Sequence, residues 1–245
     1  KLLELDKLLQ RYPRDLSGGQ RQRIAIGRAL VRKPKLFLMD EPFSNLDPVL
    51  RGKLRTELKR IHSKMGTTFI YVTHDQMEAF ALGDRIVVME HGQIRQVGTP
   101  QELFNHPANL YTASFVGTPP MNLFRDVALK QGSDGWYVTL FDNKYLLPPA
   151  KAAGLTAADQ GRKVTLGIRP VHITLGDQGI EATVEHSDVV EAEMHIQLRV
   201  GQQELLAIVP ATNFGTFLRG RKVHFQLSPQ RFHLFDPETE ERIGL

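Results

Sequence analysis

Apolar positions change their period twice along this chain. Leu2, Leu5 and Leu9 recur at helical spacing among charges and predict an amphipathic helix at the start. After Ser17-Gly18-Gly19, the stretch RQRIAIGRAL puts Arg21, Arg28 and Arg32 on one face, with Ile26 and Leu30 roughly opposite. That predicts a second helix, which Pro34 stops. Leu36 to Met39 are then continuously apolar and run into Asp40 and Glu41. An unbroken apolar run predicts a strand buried on both faces, as in a parallel sheet. SNLDP is a turn, with Asp47 and Pro48 suited to start a helix. Leu50, Leu54, Leu58, Ile61 and Met65 share one face of that helix, and Gly66 ends it. TTFIYVTH reads as a second buried strand ending at His74. A short helix follows from Gln76 to Leu82, closed by Gly83. RIVVMEHGQIRQVG reads as a hairpin turning at His91-Gly92, and Thr99 to Glu102 as a capping box.

The period changes near Gly117-Thr118-Pro119-Pro120. Beyond it, short alternating runs recur between turn signals: GWYVTLF, KVTLGIRP, IEATVEH, AEMHIQLRV, QELLAIVP and KVHFQL. The expected division is residues 1–116 as an α/β part and 117–245 as an all-β part. The β part is small enough to close as an OB-like barrel or a similar sandwich, with the Pro-rich stretch near 119 as a linker.

Composition narrows this picture. A length of 245 residues fits one large or two smaller domains, and 41% hydrophobic content is enough for a core. No apolar run is long enough to span a membrane, and the opening does not resemble a secretory signal. The absence of cysteine excludes disulfides and thiolate metal sites and fits a reducing compartment. The net charge of +4 is spread along the chain. No basic block interleaves with stacking aromatics, so nucleic acid is not an expected partner. The chain lacks an initial Met and opens inside a helical pattern, so it reads as starting partway through a domain.

Chemistry concentrates in the α/β part. Asp40, at the carboxyl end of a strand, would offer an oxygen ligand to Mg²⁺. Glu41 would polarise an attacking water. An acidic pair that merely ends a strand would look the same. His74 would hydrogen-bond a terminal phosphate, although a structural histidine fits equally well when taken alone. The other histidines match no motif. Ser17, Gly18 and Gly19 offer a hydroxyl, open backbone N–H groups and the positive end of a helix, which is an anion site. The bland alternative is a turn that needs its glycines.

Taken in order, these segments resemble an ATP-binding-cassette (ABC) ATPase. LSGGQ resembles the family signature, LFLMDEP the Walker B strand, SNLDP the D-loop and VTHD the switch-histidine loop. The later segments HGQIRQVGTPQELFNHPAN, LGIRP and HLFDPETEERI resemble maltose-type importer ATPases with a C-terminal regulatory (TOBE-like) barrel. One departure is Val171, where that group usually carries an acid. The resemblance implies a partial P-loop NTPase fold followed by the β domain, with ATP and Mg²⁺ as cofactors. Glu41 and His74 would be catalytic, and Asp40 would hold the metal. Ser17, Gly18, Gly19 and Gln20 would cap the nucleotide of a partner ATPase subunit, with Asp47 at that dimer contact. Implied partners are membrane permease subunits, indirectly a solute-binding protein, and a regulatory protein or small ligand on the β domain. The implied location is the cytoplasmic face of a prokaryotic inner membrane, and the tail is most similar to carbohydrate and glycerol-phosphate importers. The phosphate-cradling G-x-x-x-x-G-K-[ST] does not occur in the chain. It is therefore expected to be inactive alone, to expose an apolar sheet edge and to associate. Two other readings are a soluble non-transport ABC ATPase and a non-enzymatic regulatory β module.

Overall fold

The computed structural model describes residues 3, 5–32, 34–211 and 215–244. It forms two compact units. One comprises residues 1–86 with 97–100, and the other 87–96 with 101–245.

The first unit is built on α1 (Gly18–Val31), β1 (Leu36–Asp40), α2 (Pro48–Met65), β2 (Thr68–Val72) and α3 (Gln76–Leu82). β1 and β2 pair in parallel, with Leu36 opposite Thr68 and Asp40 opposite Val72. Because α2 is the crossover between them, both strands end on the same side of the sheet. Asp47 caps α2 by accepting from the Leu50 amide at 2.9 Å, and Gly66 closes it at φ +60°. Leu54 and Leu58 bury the face of α2 read from the sequence. They pack with Ile26, Phe37, Met39 and Phe43, and the Phe37 and Phe69 rings lie 4.5 Å apart.

Two expectations need correction. The start of the chain forms short 3₁₀ turns at Asp6–Leu8 and Pro13–Asp15, not an α-helix. Leu2 and the side chain of Leu30 lie outside the described residues. The apolar strands are buried on one face only. Phe37 and Met39 point into the core, whereas Leu36, Leu38 (73% exposed), Ile70 and Val72 line an open face. The apolar run correctly marks a strand suited to burial on both sides, but the described elements of this unit cover one side. Among the described residues the sheet has two strands, so each also keeps the unpaired edge expected from the sequence.

β3 (Ile86–Glu90) and β4 (Gln93–Gly98) form the expected hairpin. His91 and Gly92 at its turn both have positive φ, as a tight two-residue turn requires.

The second unit continues with α4 (Pro100–Asn105), α5 (Leu110–Phe115), β5 (Asn122–Gly132), β6 (Gly135–Leu140), β7 (Asn143–Leu146) and α6 (Pro149–Ala152). Then come β8 (Lys163–Ile168), β9 (Ile173–Gly176), β10 (Ile180–Val190), β11 (Glu193–Val200), β12 (Gln203–Pro210), β13 (Lys222–Leu227), β14 (His233–Phe235) and β15 (Arg242–Ile243). The strands make two sheets, ordered β15-β14-β8-β5-β6-β7 and β12-β11-β10-β13-β9, which enclose one core. Alternate residues face inward, such as Met194, Ile196 and Leu198 on β11. The Asn122 side chain joins the sheets by donating to the Leu206 carbonyl at 2.8 Å and accepting from the Leu206 amide at 2.7 Å. Gly179 turns the chain at φ +125°, where a Cβ would overlap the Phe225 carbonyl. β5 broke the alternation rule because of a bulge between Phe124 and Val127, where Asp126 takes φ +59°.

Candidate active site

The parallel pairing decides which sequence motifs meet. Glu41 follows β1 and His74 follows β2, so both emerge at the carboxyl end of the sheet. His74 Nδ1 lies 2.8 Å from Glu41 Oε1, with side chains 76% and 44% exposed respectively. The hydrogen bond to Glu41, and then its charge, raise the imidazole above its ordinary range.

Glu41 is held in an unusual backbone state, with φ at +41°. A non-glycine residue there is strained and needs surroundings that fix it. Its amide donates to the Val72 carbonyl at 2.9 Å. Its carbonyl accepts from the Gln22 side-chain amide at 2.8 Å and from Ser44 Oγ at 3.0 Å. Gln22 Oε1 also accepts from the Asn45 amide at 3.4 Å. Gln22 therefore ties α1 to both the strand end and the 44–47 turn. Sequence reasoning missed it, because a glutamine inside a helix carries no local signal for a contact across the fold.

Ser17 and Gln20 form a reciprocal cap. The Ser17 amide donates to Gln20 Oε1 at 3.0 Å, and the Gln20 amide donates to Ser17 Oγ at 3.3 Å. The glycines are the first residues of α1, not a loop before it as read from the sequence. They differ from each other. A Cβ on Gly19 would meet the Asn45 carbonyl and Leu46 Cδ2 at 2.9 Å, whereas one on Gly18 would meet nothing within 4 Å. Gly19 is thus required for packing against the 45–46 turn. Gly18 leaves an open approach to the first turn of a 14-residue helix.

A second network steadies the His74 loop. Glu78 is buried and accepts from Tyr71 Oη and Thr73 Oγ1, each at 2.8 Å. Burial, then this bond to Glu78, raises the Tyr71 phenol well above its ordinary value. Asp75 caps α3 through the amides of Met77 and Glu78 and pairs with Arg51 at 3.3 Å. Arg51 also donates to the Leu46 carbonyl at 3.2 Å, linking the Asp47 turn to the His74 loop. Neither Arg51 nor Glu78 was singled out from the sequence.

Asp40 is exposed at the end of β1, and no hydrogen bond or ion pair of its carboxylate is present among the described residues. It fits a single oxygen contribution to a hard cation. Among the described residues, no three His, Asp or Glu side chains are placed to hold a metal by themselves. The Asp47 side chain is engaged as the α2 cap.

Family models describe three stretches of the chain: an ABC transporter model over residues 1–44, a MalK OB fold domain over 117–173 and a TOBE domain over 166–235. The sn-glycerol-3-phosphate import ATP-binding protein of Salmonella typhi is 43% identical over 99% of this chain and 67% of its own length. The multiple sugar-binding transport ATP-binding protein of Streptococcus mutans is 42% identical over 99% of this chain and 68% of its own. The chain therefore spans about two thirds of the length of the curated relatives it matches. A solved dimeric ATP-binding cassette in a post-hydrolysis state, bound to ADP and phosphate, is 35% identical over 40% of this chain and 44% of that one. Its TM-score of 0.36 is too low for that overlay to support the fold. The relatives align along almost the whole chain at more than 40% identity, through the signature, both strand ends and the β domain: the chain belongs to the ABC transporter family, among its import ATP-binding proteins.

Proposed function

We propose that this chain carries the hydrolytic and nucleotide-capping groups of an importer ATPase that energises uptake of a carbohydrate or glycerol phosphate through a separate permease. The observation that carries this reading is the Glu41–His74 pair, fixed at 2.8 Å on the adjoining ends of two parallel strands. Glu41 orients and polarises the attacking water. His74 donates Nδ1–H to Glu41 and keeps its other ring nitrogen for a terminal phosphate oxygen, and its raised proton affinity favours the charged donor. Asp40 would supply one carboxylate oxygen to Mg²⁺, which contributes charge neutralisation on the phosphates when bound.

Ser17, Gly18, Gly19 and Gln20 cap the nucleotide of a second ATPase subunit, and Gly18 is the open approach. Asp47, whose side chain already caps α2, sits at that subunit contact. Residues 1–116 and 117–245 are the ATPase and regulatory portions, the latter open to a regulatory protein or small ligand. The work belongs at the cytoplasmic face of a membrane, with permease subunits and indirectly a solute-binding protein as partners; the similarity to import and transport ATP-binding proteins supports this reading. No described helix is long and apolar enough to cross a membrane.

The test is a calorimetric titration of this 245-residue chain with Mg-ATP. Without G-x-x-x-x-G-K-[ST], the expected result is no stoichiometric binding. Tight binding would place the phosphate cradle among these residues and contradict the assignment of a capping role to Ser17 and Gly18.

A further inference from the structure

Arg51 joins the two loops that carry the Glu41–His74 pair. It lies on α2, just after the Asp47 cap, and its guanidinium reaches in two directions. Nη2 donates to the Leu46 carbonyl at 3.2 Å, and Nη1 donates to Asp75 Oδ2 at 3.3 Å. Nε lies 3.8 Å from Glu78 Oε1, beyond hydrogen-bond reach but close enough for its charge to act.

Exposure makes this link matter. The His74 side chain is 76% exposed, so packing does not hold its ring in place. Its position comes from the residues on either side of it. Thr73 Oγ1 donates to Glu78 and accepts from the Asp75 amide at 3.0 Å. Asp75 Oδ1 accepts from the amides of Met77 and Glu78, which leaves Oδ2 for Arg51. Opposite this loop, the Ser44 amide donates to the Glu41 carbonyl and the Leu46 amide to the Phe43 carbonyl, each at 3.2 Å. The turn that Arg51 grips therefore starts at Glu41 itself. Glu41 and His74 line one recess of about 30 Å³ together with Arg51, Ser44 and Thr73. A loop and a turn held by one planar fork keep a fixed spacing. Lysine carries the same charge, but its compact ammonium on a flexible stem does not reproduce the fork. Asp75 and Glu78 need only a nearby cation; the spacing needs the arginine.

We propose that Arg51 is a positioning residue for ATP hydrolysis: it sets the spacing between the turn leading from Glu41 and the loop carrying His74, and so keeps the two side chains within hydrogen-bonding distance. This role rests on the reading of Glu41 and His74 as the hydrolytic pair. Arg51 acts through the Leu46 carbonyl and Asp75.

The experiment pairs two measurements on Arg51→Lys and Arg51→Met. In the 245-residue chain, NMR follows the titration of the His74 ring. Its proton affinity is raised first by Glu41, with Asp75 and Glu78 adding less. Loss of the Glu41 contact lowers the midpoint toward 6.5, whereas merely uncovering Asp75 and Glu78 raises it. The expected result is a lowered midpoint in both variants. In the full-length protein, single-turnover hydrolysis is expected to fall about 10- to 100-fold in Arg51→Lys, with nucleotide binding retained. Three results would overturn the positioning role: a midpoint unmoved or raised, loss of the folded amide spectrum in Arg51→Lys, or hydrolysis by Arg51→Lys at the unsubstituted rate beside an inactive Glu41→Gln. Unimpaired hydrolysis by Glu41→Gln overturns the hydrolytic reading instead, and the His74 midpoint still decides the Arg51 link.

Discussion

Two histidines of this chain sit in opposite electrostatic settings. His74 is exposed, bonded to Glu41 at 2.8 Å, and its imidazole is raised above 6.5. His233 is buried in the β unit among cations, and its imidazole is depressed to about 2. The first is poised to carry charge at the end of a strand. The second stays neutral because burial, and then the nearby cations, disfavour its charged form. Burial separates the two cases first, and the sign of the neighbouring charges pushes each shift further in its own direction.

The largest expected effect on stability comes from removing the buried guanidinium of Arg169. Arg169→Met leaves the carbonyls of Phe104 and Val116 without their donor and should destabilise the second unit by about 3 kcal/mol. Trp136, the single tryptophan, is buried in that core and reports its unfolding in urea by fluorescence. The same variant should raise the proton affinity of His233, because one of its neighbouring cations is gone. A stable variant with an unmoved His233 would break the comparison.

Gly19→Ala comes next. Its Cβ would press on the Asn45 carbonyl, so loss of about 1–3 kcal/mol in the first unit is expected by calorimetry.

The pH response should then divide the two units. As pH falls below 6.5, the unfolded chain protonates His233 and His172 while the folded unit does not, so stability of the second unit falls with acid. One such group contributes at most about 1.4 kcal/mol per pH unit, readable as a shift of the Trp136 transition. The His74–Glu41 pair has the opposite sign. Its contribution is complete below pH 6.5 and is lost as pH rises through the raised folded value. Glu41→Gln should bring the His74 titration back toward 6.5, and an unchanged midpoint would remove Glu41 as the cause.

The smallest effect is expected at Gly18. Gly18→Ala meets open space and should change stability by no more than about 0.5 kcal/mol. If it nevertheless weakens nucleotide-dependent dimerisation of the full-length protein, the position is read by a ligand and not by packing.

Much of the first unit was legible because its signals are local. Asp47-Pro48 and Gly66 bracket α2, Gly83 closes α3, and His91-Gly92 turns the hairpin. The places of Glu41 and His74 at two strand ends were legible as well, but the hydrogen bond between them was not. What joins the motifs was not. Gln22, Arg51 and Glu78 act across the fold, and their spacing in the chain carries no trace of that. The apolar run at 36–39 correctly named a strand, but burial depends on what covers each face, which no strand encodes for itself. In the β unit, the bulge at Asp126 hid β5.

The central claim rests on Glu41, and single-turnover ATP hydrolysis by the full-length protein tests it most directly. With Glu41→Gln, the account predicts retained nucleotide binding and a hydrolysis rate lowered by about 10²-fold or more. Hydrolysis at the unsubstituted rate would contradict it.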